Sequence, residues 1–242
     1  MLIFSGRTAV LAQNSRPPAG QMSAAEILDM HVAATGTLEA WRALQTVDAY
    51  GSFYFGAFNS SGDFHFYYKV PESDVFQLDM TSHGQTSVGH NGETPFSNHA
   101  GEETRAINGV TVLSLEEGWI ALTESAFDRR YARIDLAGTT KINGKCAYAL
   151  QFTPRVGDAQ VRYYDCRSFL MIRMDSTQRM PLEKGSPELV YKVQTDFSAY
   201  GEFGGIKFPR QINATASAGD LVLEIHEVHI NRPVSDSVFQ KK

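Results

Sequence analysis

Seven histidines and 27 acidic residues in 242 are the material for metal or acid–base chemistry, so their spacing is the first thing to weigh. His226-Glu227-Val228-His229 is one residue short of the His-Glu-x-x-His pattern. That pattern binds zinc because two histidines four apart share one face of a helix. Here the spacing is three, within "LVLEIHEVHI", whose alternation predicts a strand. The two imidazoles are then expected on opposite faces, with no shared metal. His83, His90 and His99 fall in or near predicted turns and are expected as solvated side chains. No Gly-x-Ser-x-Gly elbow, phosphate-cradling glycine loop or dinucleotide fingerprint occurs. Asp175-Ser176-Thr177 lacks the glycine of an aspartic-protease signature and has no second copy. Glu102-Glu103 and Glu116-Glu117 are explained by loop solvation and by the preference of helix N-termini for acids. No catalytic residue, metal ligand or cofactor is predicted, and the balance moves toward binding.

Cys146 and Cys166 lack metal-type spacing. They lie on two arms of a hairpin predicted to turn near Gly157-Asp158. The arms to the two cysteines are unequal, roughly eleven and eight residues, so no disulfide is expected and both thiols should behave as small hydrophobes.

The segment richest in one chemistry is "GSFYFGAFNSSGDFHFYYKVP", residues 51 to 71, with eight aromatic rings beside one acid and one lysine. Aromatic side chains suit a half-buried pleated surface, and Asn59-Ser60-Ser61-Gly62 is turn chemistry. Alternation places Phe53, Phe55 and Ala57 on one face of the first strand, and Tyr54, Gly56 and Phe58 on the other. In the second strand Phe64, Phe66 and Tyr68 oppose His65, Tyr67 and Lys69. Both faces are largely apolar, so the sheet is either covered on both sides or walls a greasy cavity.

The elements that must hold this hairpin follow from periodicity. Ser23 to Glu26 is a capping box opening a helix to about Ala34, which Gly36 ends. A second short helix carries Leu38, Trp41 and Leu44. From Thr46 the pattern becomes strand and turn, with runs near 47–58, 63–70, 75–81 and 85–90. A second capping box, Ser114 to Glu117, starts a helix over 115–127 with a stripe of Leu115, Gly118, Trp119, Leu122 and Ala126. Further strands are expected near 131–136, 138–142, 146–153, 160–166, 169–176, 187–198, 206–215 and 220–230. This order predicts a mainly β fold: a curved antiparallel sheet with a few short helices covering its concave side. Residues 1–22 are set apart by an apolar start, "AVLAQ" and a Pro/Gly linker. They are expected to be a signal-peptide remnant or a disordered arm, with 23–242 as a single domain. A net charge of −5 without a basic run argues against nucleic acid, and no apolar run reaches the ~18–20 residues that span a bilayer.

Element order and several segments carry a resemblance. "SAAEILDMHVAATGTLEAWRALQTVDAYGSF", "HNGETPF", "INGKCAYALQF", "VRYYD", "GGIKFPRQI" and "VHINRPVSDSVF" together resemble the outer-membrane lipoprotein-sorting (LolA/LolB-like) superfamily, in its divergent periplasmic branch. The similarity covers roughly residues 23 to 240 and lies in order and spacing, since no single motif is strong. It implies a half-barrel around an apolar cavity and a periplasmic carrier or binding protein for a lipid or lipoprotein. A membrane-associated donor or acceptor protein would be its partner. The implied cavity lining is Phe53, Phe55, Phe64, Phe66, Tyr68, Phe76, Leu78, Trp119 and Leu122, with an ordinary packed core as the rival reading. One departure matters. The carriers' Lys-Arg-Pro is Lys69-Val70-Pro71 here, so the arginine that governs their opening is absent. Two other classes stay open: a hydrolase using His65, His83, His90 or Asp79 in the same cavity, and a ligand-free interaction module.

Overall fold

The structure is a computed structural model that describes residues 22–56, 59–70, 73–80, 84–91, 95–99, 105–106, 131–155, 157–180, 189–217 and 219–240. Two capped helices lead into it. Ser23 accepts from the Glu26 amide at 3.2 Å, and the Glu26 carboxylate accepts from the Ser23 amide at 2.7 Å, closing the expected capping box. It opens α1 (Ala24–Thr35), whose Ile27, His31 and Thr35 recur every four residues and are buried. Thr37 caps α2 (Leu38–Ala43), which buries Trp41.

The N-terminal strands are β1 (Thr46–Phe55), β2 (Ser60–Lys69), β3 (Ser73–Met80), β4 (Gly84–Asn91), β5 (Pro95–His99) and β6 (Arg105–Ala106). After them come β7 (Tyr131–Ile142), β8 (Lys145–Pro154), β9 (Gln160–Asp165), β10 (Met171–Met180) and β11 (Leu189–Ser198). The last are β12 (Gly201–Phe203), β13 (Ile206–Phe208), β14 (Gln211–Ala216) and β15 (Gly219–Ile230). Thirteen of these form one antiparallel sheet in the order β6-β5-β4-β3-β2-β1-β15-β14-β11-β10-β9-β8-β7. Among the described residues its two end strands, β6 and β7, do not pair with each other, so the sheet is open there. The first strand and the last thus meet in the interior of the sheet.

One face, here the inner face, carries the main core. Val47, Ala49, Phe53, Phe64, Phe66 and Tyr68 pack there with Ile27, Trp41 and Leu44 from the helices. The hairpin β12–β13 leaves the sheet to complete that layer: Ile206 bridges Gly36, and Phe208 meets Trp41 edge-on. His31 ties α1 to the β9–β10 turn by donating its Nδ1 hydrogen to the Phe169 carbonyl at 2.7 Å. On the outer face a smaller core of Val75, Phe96 and Phe239 lies under the C-terminal segment. Asn231 fastens that segment, its Oδ1 accepting from the Gln45 amide and its Nδ2 donating to the Ala43 carbonyl.

The interior packing of β1 and β2 alternates large against small. Gly51 faces Phe64, Ala49 faces Phe66 and Gly62 faces Phe53. A Cβ on Gly51 would stand 2.0 Å from the Glu224 carbonyl oxygen and 2.7 Å from the Phe64 ring. Only glycine lets the strands and the ring approach so closely.

Several expectations are corrected. The first turn lies earlier than Asn59–Gly62: β2 begins at Ser60, and Gly62 is inside it. The runs 131–136 and 138–142 form one strand, β7, bulged between Leu136 and Gly138. Residues 206–215 divide at Pro209-Arg210 into β13 and β14, because proline cannot donate to a ladder. The helix expected over 115–127 lies outside the described residues. Cys146 and Cys166 form a disulfide, with Cα atoms 5.5 Å apart. The turn had been placed too late. The β8–β9 register pairs Ala147 with Asp165 and Phe152 with Gln160, so the arms are equal and the cysteines are opposite.

Thiol titration of the unfolded, unreduced protein is expected to find no free thiol, and after reduction two. By loop-closure entropy for a 20-residue separation, reduction should cost about 3 kcal/mol in urea unfolding. Gly51→Ala should destabilise by at least the ~1–3 kcal/mol of ordinary overpacking. Gly56→Ala, where no neighbour of the new Cβ comes nearer than 3.5 Å, should stay within about 0.5 kcal/mol of wild type.

Candidate binding face

The inner face of the sheet is where the nominated aromatic residues meet. Register pairs Phe64 with Leu78 and Phe66 with Phe76 across β2 and β3, and directly opposed residues share a face. Phe53 and Phe55 join them from β1. Seven of the nine nominated residues therefore lie on one side of the sheet. Trp119 and Leu122 lie outside the described residues.

The seven do not share one environment. Phe53, Phe64, Phe66 and Tyr68 are between 0 and 4% exposed and belong to the packed core. Phe55, Phe76 and Leu78 are only partly buried against it, as are Met80 and Leu221. The change occurs between adjacent rows of facing positions. Phe53, Leu223, Ile212 and Phe197 form one row across four strands, and all are buried. One step along the strands, Phe55, Leu221 and Ala214 form the next row, and each keeps partial exposure. The half-buried row is the apolar surface that a ligand could use. Val70, in place of the carriers' arginine, is itself packed against the core.

At the other end of the same face lies a residue that periodicity did not single out. Arg162 on β9 is fully buried between Leu150 and Met174. Its guanidinium carbon sits 4.0 Å from the Phe152 ring centroid and 5.2 Å from that of Tyr131. Nη2 donates to the Tyr131 hydroxyl, and Nε donates to Gln160 Oε1 at 3.4 Å. Gln160 Nε2 also donates to the Tyr131 hydroxyl, at 2.9 Å. Two neutral polar groups and two rings are thus among the contacts of a permanent cation inside an apolar layer. The strand "QVRYYD" mixes polar and apolar residues on both parities, so alternation alone carried no sign of it.

Two ion pairs lie on the outer face, whereas Asp74, opposite Tyr68, is buried on the inner one. Arg173 pairs with Asp196 at 2.7 Å and Arg179 with Asp158 at 2.6 Å. The Arg179 hydrogen bond holds the Asp158 carboxyl below the usual carboxylate range. His226 and His229 also resolve to this side. A bulge between Tyr50 and Gly51 inserts His226 into β15 and resets its alternation, so Ile225 and Val228 are both buried. His226 and His229 consequently share the outer face, contrary to the expectation of opposite faces. His226 stands edge-on to Tyr50, and His229 pairs with Glu227 at 3.3 Å. Among the described residues no group of three or more His, Cys, Asp or Glu could hold a metal ion. His65 stacks on Tyr67 and Asp79 is exposed, both turned from the inner face. Of the groups nominated for hydrolysis only His90 faces inward, opposite Asp74, while His83 lies outside the described residues. His99 pairs with Thr86, four residues along β4 from His90 and so ~13 Å away.

No protein-family model matches the sequence, and no curated protein matches it. Solved structures do share its fold. A LolA superfamily protein from Nitrosomonas europaea superposes with a TM-score of 0.62 at 12% identity, over 91% of this chain and 99% of that one. A DUF1329 family protein from Desulfovibrio piger gives 0.58 at 16% identity, over 88% of this chain and 95% of that one. At such identities the likeness is one of fold, and at that level the resemblance read from the sequence is borne out. No helix among the described residues is long and apolar enough to cross a membrane.

The two environments differ in stability cost. Phe66→Ala should cost the ~3–5 kcal/mol of a packed core phenylalanine, and Leu78→Ala less than the ~2 kcal/mol at the low end for a buried leucine. Urea denaturation measures both. A full core-like cost at Leu78 would make the whole face ordinary core.

Proposed function

We propose that the protein is a carrier or binding protein for an apolar or acylated ligand held against the inner face of its open sheet. One observation carries this reading. Phe55 and Leu221 on β1 and β15, and Phe76, Leu78 and Met80 on β3, stay half-buried, while Phe53, Leu223, Ile212 and Phe197 are packed. A packed core would have consumed that area. Acyl chains suit it, because each buried CH₂ contributes about 0.8 kcal/mol without directional demands. The shared fold of a LolA superfamily protein points the same way.

The compartment we assign is the periplasm. Cys146 is exposed, and an exposed structural disulfide persists in oxidising compartments. We treat 23–242 as one domain, since β1 and β15 bring both ends of the sheet's sequence together. A membrane-associated donor or acceptor would deliver or receive the ligand. The transfer mechanism of the lipoprotein carriers is not part of the proposal, because Val70 occupies the position of their arginine.

Native mass spectrometry of the purified protein should find co-purified lipid, and a dansyl-labelled fatty acid should gain fluorescence on binding. Leu78→Asp should abolish dye uptake while circular dichroism stays unchanged, because a charge in an apolar wall repels the chain. Absence of both bound lipid and dye uptake in wild type would overturn the reading.

A further inference from the structure

β2 runs between the two half-buried groups of the inner face, with Phe55 and Leu221 on its β1 side and Leu78 and Met80 on β3. At that end of β2 the inward positions are Ser60, directly opposite Phe55, and Gly62, between Phe53 and Met80. Ser60 is 4% exposed, and among the described residues its Oγ has no hydrogen-bond partner. A hydroxyl enclosed in this way costs free energy that an alanine would avoid. Its surroundings on the face are uncharged. Along its own row the first charge is Arg162, six strands away, and in the next row Gly62, Phe53, Leu223 and Ile212 carry none.

We propose that Ser60 is the polar anchor of the binding face, and that it selects a neutral acyl ester whose carbonyl oxygen accepts from its hydroxyl. The acyl chain lies against Phe55 and Leu221. This deepens the carrier reading and rests on it. Because the hydroxyl is enclosed, the ester reaches it by displacing a neighbour, and the half-buried Phe55 ring stands directly opposite. A carbonyl arriving there satisfies a donor that the free protein leaves unmatched, so the exchange gains more than an ordinary hydrogen bond. A hydrocarbon brings the same chain without an acceptor. A carboxylate brings an acceptor with a full charge, which is costly to bury where neither row places a cation beside it. The ester alone matches both the apolar wall and the single unpaired hydroxyl. Ser60 is therefore a specificity-determining residue, and its cost to the free protein is recovered when the ligand binds.

Competition against the dansyl probe tests this with methyl palmitate, with palmitate, and with hexadecyl methyl ether, which lacks the carbonyl. Wild type should bind the ester about tenfold more tightly than the ether, and more tightly than palmitate. Ser60→Ala should bring ester and ether within about twofold by weakening the ester alone. Without ligand the same variant should keep or raise its urea midpoint, because the hydroxyl it removes has no partner to lose. A fall in that midpoint, with all three ligands weakened together, would mark a merely structural serine and overturn the anchor. Equal binding of ester and ether by wild type also overturns it and leaves the carrier reading standing, as does tighter binding of palmitate than of ester. That comparison needs no variant. Dioleoylglycerol and a diacylglyceryl-cysteine lipopeptide carry the same ester linkage; the better competitor assigns free lipid or lipoprotein as its source, and either supports the anchor. Failure of every ligand and of the probe would instead overturn the carrier reading itself.

Discussion

Pairing of β1 with β15 is the contact on which the structure depends. Without it the chain would be two meanders, β1 to β6 and β7 to β15, each with a long unpaired edge. Their union joins residues as far as 170 positions apart and beyond, such as Phe53 with Leu223 and Val47 with Ile230. The loop-closure entropy of so distant a pairing must be overcome before its contacts contribute, which makes this topology a slow-folding one. The pairing also makes the inner face continuous. Both the packed row through Phe53 and the half-buried row through Phe55 cross from β1 to β15 at this seam. Gly51 and the His226 bulge sit there together, where the strands come closest and the twist changes.

Size alternation then decides how much of the face is consumed by packing. Aromatic rings opposite glycine or alanine interdigitate without a void, and they bury Phe53, Phe64 and Phe66 completely or nearly so. The helices and the β12–β13 hairpin lie over that region. Farther along β1 and into β3 the apolar side chains continue, but the covering by α1 and α2 does not keep pace. A protein selected only for stability would end its apolar face where its core ends. Here the excess forms two groups on one face, Phe55 with Leu221 on β1 and β15 and Phe76, Leu78 and Met80 on β3, and a shared face favours binding over scattered surface hydrophobicity.

Arg162 places a charge inside the same face. A buried cation is costly unless its neighbours compensate, and the Tyr131 and Phe152 rings, the Tyr131 hydroxyl and Gln160 are among those that hold it. The outer face handles charge differently, with solvent-accessible pairs such as Arg173–Asp196 that contribute modestly. The C-terminal segment belongs to the outer design, where Phe239 fills a second core and the Lys69–Asp236 pair holds its turn.

Local features were legible in the sequence. Ser23 and Glu26 announced α1, and the aromatic alternation of β1 and β2 named the face on which Phe53, Phe55, Phe64 and Phe66 stand. Both signals are complete within a few residues, because a cap spans one helical turn and a strand's faces alternate every second residue. Family resemblance supplied the arrangement of these elements. Tertiary structure alone decided the rest. A turn misplaced by about one residue hid the Cys146–Cys166 disulfide, and one bulge moved His226 and His229 to the same face. Arg162 reads as a surface residue until Leu150 and Met174 arrive on either side of it. In each case the deciding quantity is register between strands, which depends on distant partners and inserted residues, and which local periodicity does not contain.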